Sequence, residues 1–161
     1  MFASFVIASL VVASAEPPKA DDKRPELSDA AKKELKKLEG KWQVVTLAHS
    51  AGAGDVTEHQ YYGVFEGTTA TFSKKGKDKE EVIEFTALDP GASPKCIDLT
   101  EHLNTPGRAP RTMPGVYKLD GDVLLLAFAA AKAGAVPARP VGFDKPTEPG
   151  AMVWTLKRVK D

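Results

Sequence analysis

The chain has 161 residues, with 22 basic against 22 acidic side chains, one cysteine, 13 glycines and 12 prolines. That length suits a single domain. The balanced charge supplies no field for gripping nucleic acid or anionic lipid, and one cysteine excludes an internal disulfide framework or a four-cysteine metal site.

Residues 1–15 carry no charge, no Gly and no Pro, and the run stops at Glu16-Pro17-Pro18. A membrane span needs roughly 20 apolar residues, so the stretch is too short to be a stable anchor. It fits the apolar region of a secretory signal, with Ala13-Ser14-Ala15 as the small-x-small cleavage pattern. The reading is an exported protein, in the periplasm, cell envelope or extracellular space. No Lys or Arg precedes the apolar run, so the terminal amine is its only leading charge. Residues 16–27 are charged and proline-rich without periodicity, the composition of a disordered linker. The folded domain is expected over 28–161.

Ser28 is placed to cap a short helix from Asp29 to about Leu38, with Asp29 near its positive end and lysines along its middle and last turn. Ala31, Leu35 and Leu38 form one narrow apolar stripe that needs something to lie against. From Gly40 the period changes to that of strands, expected near 41–49, 61–66, 68–73, 80–88, 95–99, 114–119, 122–129 and 151–159. Turn signals separate them: Gly67, Lys75-Gly76, Asp89-Pro90-Gly91, Thr105-Pro106-Gly107, Asp120-Gly121 and Glu148-Pro149-Gly150. Asp120-Gly121 between two apolar runs is the sharpest hairpin cue. Many short strands with little helix give an all-β fold, an antiparallel sandwich or barrel.

Alternation assigns faces. On the last strand Met152, Trp154, Leu156 and Arg158 share the bulkier, inward face; on the first, Trp42, Val44 and Thr46 do. An arginine stacked on an indole gains about 0.5–2 kcal/mol and can keep its head near a barrel end. Arg158 is therefore expected over Trp42, where the first and last strands meet and close the sheet. The full inward set adds Ile83, Phe85, Ile97, Leu99, Tyr117, Leu124 and Leu126.

Little in the chain points to catalysis. No phosphate loop, dinucleotide fingerprint, zinc-protease motif, calcium loop or nucleophile elbow is present. Asp98, Glu101 and His102 lack a known ligand spacing and read as polar loop residues, so no metal or cofactor is expected. Glu80 and Glu81 are adjacent on a strand and point to opposite faces, so they cannot share a substrate. The lysine-rich 74–79 segment reads as a solubilising hairpin tip, and Tyr61-Tyr62 as rim packing. Cys96 has no designated cationic partner and reads as inert packing. No enzyme is expected. Two functions follow. One is a small hydrophobic ligand held inside the barrel, with Val44, Phe85, Tyr117, Leu126, Met152 and Trp154 lining the cavity. The other is a structural or protein-interaction module whose side chains fill the interior.

Gly40-Lys41-Trp42 resembles the lipocalin G-x-W signature, and Arg158 stands where lipocalin-type barrels pack an arginine over that tryptophan. The ordered set Leu38-Glu39-Gly40-Lys41-Trp42-Gln43-Val44-Val45, Pro94-Lys95-Cys96-Ile97-Asp98-Leu99-Thr100, Gly115-Val116-Tyr117-Lys118-Leu119-Asp120-Gly121-Asp122, Arg139-Pro140-Val141-Gly142-Phe143 and Leu156-Lys157-Arg158 resembles a small lipocalin-like domain of planctomycete bacteria. That resemblance implies an up-and-down barrel of about eight strands with a short N-terminal helix, and no reaction. The chain departs from the pattern between Ala127 and Val136.

Overall fold

The computed structural model describes residues 26–77, 80–102, 110–129 and 137–160. The signal, the linker up to residue 25, the turn at 105–107 and the stretch 130–136 lie outside the described residues.

Helix α1 (Asp29–Leu38) begins where Ser28 accepts the Ala31 N–H at 3.2 Å, satisfying one of the orphan donors of the first turn. Its buried face is Ala31, Leu35 and Leu38, as the stripe requires, with Glu34 buried among them. Leu27, placed in the linker by its composition, packs against the core instead. Hydrophobic contact overrides local polarity there.

Nine strands follow: β1 (Gly40–His49), β2 (Gly52–Asp55), β3 (Tyr61–Glu66), β4 (Thr69–Lys74), β5 (Glu80–Asp89), β6 (Lys95–His102), β7 (Arg111–Asp120), β8 (Val123–Ala129) and β9 (Ala151–Arg158). All pair antiparallel in the order β1-β3-β4-β5-β6-β7-β8-β9, and β9 returns to β1. This is a closed eight-stranded up-and-down barrel with β2 as an added strand. The β7–β8 hairpin turns on two residues, Gly121 and Asp122, with Gly121 at a φ of 56° that suits glycine.

Three features were not legible as alternation or turn signals. β2 is a glycine-rich piece that pairs with the far half of β1. β6 continues through His102, and β7 starts at Arg111. A bulge between Val44 and Thr46 reverses the face pattern of β1. Thr46 therefore faces Thr155 on the outer wall, and Leu47 turns inward opposite Trp154. The expected inward place of Thr46 is corrected by that one extra residue. A second bulge, between Phe85 and Ala87, brings Leu88 into the core in the same way.

The main core fills the barrel and reaches down to α1. A smaller cluster of Val116, Ala127 and Val153 lies apart from it, with Phe143 and Cys96 packed against it. Phe143 belongs to residues 137–150, called the strap below, which leads into β9.

Candidate functional site: the sealed end, the open end and the strap

At one end of the barrel, β1 starts and β9 finishes beside α1. The guanidinium of Arg158 lies 4.1 Å from the Trp42 ring centre. It also donates through Nη1 to the Glu39 carbonyl at 2.6 Å and through Nη2 to the Lys37 carbonyl at 2.7 Å. Trp42 Nε1 donates to the Leu38 carbonyl at 2.8 Å. Three consecutive carbonyls at the helix C-terminus, which have no partner within the helix, are thus capped by two barrel side chains. Stacking of the pair was legible from facing positions, but its capping role was not, because it depends on where α1 docks.

Gly40 belongs to the same device. Its φ is 119°, and a Cβ there would lie 2.9 Å from Arg158 Nη1. The glycine of the G-x-W pattern therefore leaves room for the arginine that covers the tryptophan.

Beside this cap, the buried Glu34 carboxylate of α1 pairs with Lys95 of β6 and, at 2.6 Å, with Lys37. Burial pushes the Glu34 carboxyl up, but the two lysines outweigh it and hold it below the ordinary glutamate range. Tyr117 lies fully buried nearby; burial first, and the Glu34 charge second, push its hydroxyl pKa up.

The other end is lined differently. Trp154 touches Phe72 and Phe128 edge-on, with ring centres 5.2 and 5.1 Å away, and Tyr61 at 6.1 Å. Its indole Nε1 is buried without a hydrogen-bond partner. The Tyr61 hydroxyl donates to Glu81 at 3.0 Å, and Arg111 Nε donates to the buried Glu101 at 3.1 Å. Burial first, then the Glu81 charge, raises the Tyr61 pKa. Tyr61 is thus more than rim packing, being the donor of a cross-strand pair. Met152 is half-buried at the edge of the core.

The remaining sequence-selected cavity residues, Val44, Phe85, Tyr117 and Leu126, lie in the core with Trp154. They do not surround open space. Trp42, Val44, Ala70, Leu124 and Leu156 are 0 % exposed, and Phe72, Leu99, Leu126 and Phe128 are 2 % exposed. A void able to hold even water would leave accessible area on its walls, and these walls have almost none.

Residues read as a solvated loop after β6 are placed on the strand itself. Glu101 turns inward to Arg111, while Asp98 pairs on the outer wall with Arg139 of the strap at 2.7 Å. The physical reason is cross-strand pairing with β7, which runs past Leu99 and holds both side chains in register. Among the described residues no group of three or more His, Cys, Asp or Glu is arranged to hold a metal ion. Glu80 and Glu81 are consecutive on β5, and only the side chain of Glu81 is described. Of the histidines, His49 accepts the Ala51 N–H in a turn, and His59 closes a short 3-10 turn.

The strap supplies what sequence reasoning missed. Arg139 Nη1 donates to the Gly115 carbonyl at 2.6 Å and the Ile97 carbonyl at 3.2 Å, next to Pro114, which cannot donate to the ladder. Two clefts flank this arginine. One, of about 390 Å³, lies between the strap and β8–β9; the other, of about 250 Å³, reaches Cys96 and Asp89. Cys96 is a free thiol, half-buried beside its cross-strand neighbour Val116. Arg139-Pro140-Val141-Gly142-Phe143 entered the sequence reading only as part of the lipocalin-like resemblance, and no local pattern gave Arg139 a role.

The closed eight-stranded antiparallel barrel is compatible with a lipocalin-like fold. No family model, curated protein or solved structure matches the chain. Among the described residues no helix is long and apolar enough to cross a membrane.

Proposed function

We propose that the protein is an exported, non-catalytic lipocalin-like barrel with a solid interior, acting through its outer wall as a structural or interaction module of the cell envelope. The observation that carries this reading is the near-zero exposure of the inward side chains, from Trp42 at one end to Phe128 at the other. A barrel of eight strands is narrow enough for its own side chains to fill it. The apolar run at 1–15 and the Ala13-Ser14-Ala15 pattern support export. The likeness of Gly40-Lys41-Trp42 and Arg158 to the lipocalin signature, and of the five ordered segments to the planctomycete lipocalin-like domain, supports the lipocalin-like part of this reading.

Truncation inside the barrel tests the solid interior. Leu126→Ala in a packed core costs about 2–5 kcal/mol in urea unfolding, whereas a residue bordering an empty pocket loses far less. A loss under about 1 kcal/mol would return the interior to a ligand. Export is checked by the N-terminal residue of the protein secreted from an expressing cell, expected to be Glu16.

A second reading keeps a small hydrophobic molecule at the open end. The buried, unpartnered Trp154 Nε1 favours it, since such donors ordinarily find an acceptor. Room for that acceptor requires Met152 or a neighbour to swing aside. One-to-one saturation by a hydrophobic fluorescent probe, abolished by Trp154→Phe, is the result expected from this reading.

A further inference from the structure

We infer that the cleft between the strap and β8–β9 binds a small apolar monocarboxylate, with Arg139 reading its head group. The inference rests on the outer-wall reading above only in placing the ligand outside the barrel.

Three observations converge on it. The cleft, about 390 Å³, falls within the roughly 300–1,000 Å³ range of small-molecule sites. Its accessible wall includes Ala129 and Ala151, short half-buried side chains that leave space where longer ones would fill it. Val141, 94 % exposed at the lip, extends this apolar surface into solvent.

The arginine is the second observation. Its hydrogen bonds to the Ile97 and Gly115 carbonyls run through Nη1, which also lies 2.7 Å from Asp98 Oδ1 as an ion pair. Among the described residues neither carbonyl is held by Nε or Nη2, and Arg139 lines the cleft. The Nε–Nη2 edge of a guanidinium matches the two oxygens of a carboxylate, and a head already held in place loses little freedom on binding.

Charge is the third. Arg139 and Lys145 face Asp98, Asp144 and Glu148, a surplus of one negative charge. A dianion such as phosphate is repelled more strongly than a singly charged head, which is drawn in by burial of its apolar tail and meets Arg139 at the smaller electrostatic cost.

The test is titration of the ¹⁵N-labelled protein with octanoate, 1-octanol and inorganic phosphate. Octanoate is expected to saturate one to one, shifting the Arg139 Nε–H and the amides of Ala127, Ala151 and Val153. Octanol is expected to bind about tenfold more weakly and phosphate not at all. Ala151→Leu leaves the Arg139 latch untouched and fills the cleft, so it abolishes binding while the Arg139 signal persists. Asp98→Asn removes the competing carboxylate and tightens octanoate severalfold; a purely structural arginine would give weaker binding as the strap loosens. Equal affinity for octanol overturns carboxylate recognition, and no saturation at millimolar octanoate overturns the site. Shifts confined to Tyr61 and the Trp154 Nε1–H would place the ligand inside the barrel and overturn the inference. The solid-interior reading fails separately, through Leu126→Ala.

Discussion

Arg158 and Arg139 each donate to a pair of backbone carbonyls: Arg158 to those of Lys37 and Glu39 at the sealed end, Arg139 to those of Ile97 and Gly115 on the outer wall. Their surroundings differ. Arg158 uses both terminal nitrogens, stacks on Trp42 and lies 3.6 Å from Asp122 through Nε. Arg139 is anchored through one nitrogen and borders two clefts. The same side chain thus serves as a plug where its hydrogen-bonding capacity is consumed. Where part of that capacity is spare and space is left beside it, it becomes a candidate receptor.

The largest expected effect is at the plug. Trp42→Ala removes a fully buried ring, its hydrogen bond to Leu38 and the surface on which Arg158 stacks, and should cost about 3–5 kcal/mol in denaturant unfolding. Arg158→Gln comes next, at about 1.5–3 kcal/mol, from two charge-assisted hydrogen bonds and the cation–π contact. A loss within about 0.5 kcal/mol, the scale of an ordinary surface change, would remove the plug from the comparison. Arg139→Gln should cost less, about 0.5–1.5 kcal/mol, because it releases a strap and leaves the barrel closed. If the two arginines proved equal, the distinction between plug and latch would collapse.

Gly40→Ala sharpens the same contrast at about 1–2 kcal/mol, since it combines a positive φ with a clash against Arg158 Nη1. In the Arg158→Ala background the clash is gone and only the backbone penalty remains, so a double-mutant cycle should show coupling.

The smallest effect is a pH dependence. The Glu34 carboxyl is held low in the folded state, so its ion pairs contribute stability above the unfolded glutamate pKa of about 4.3. That contribution is lost as pH falls through the lower folded value. Glu34→Gln should therefore flatten the acid side of the stability profile without changing its shape near neutrality. An unchanged acid limb would show that Lys37 and Lys95 do not hold this charge in solution.

Much of the barrel was written locally. Ser28 and Asp29 start the helix, the turn residues punctuate the strands, and alternation sent Trp42, Phe85, Leu126 and Trp154 inward. Each is a short-range consequence of caps, turns and a period of two. The bulges at Val45 and Thr86 carry no such mark, and one extra residue was enough to move Thr46 to the wall and Leu47 to the core. Glu34 stands among lysines on α1 with nothing local to mark it as buried, and only the approach of Lys95, far along the chain, makes it a buried ion pair.

By itself the sequence determined the helix and the order of the eight barrel strands, the hairpin at Gly121 and the facing of Trp42 and Arg158, because these depend on neighbours a few residues apart or on the parity of a strand. Tertiary structure alone decided three things: that the inward side chains fill the barrel, that Arg158 and Trp42 finish the helix, and that Arg139 pins the strap between two clefts. Filling is a property of summed volume across eight strands, and both arginines reach carbonyls far from them along the chain. No local pattern records either one.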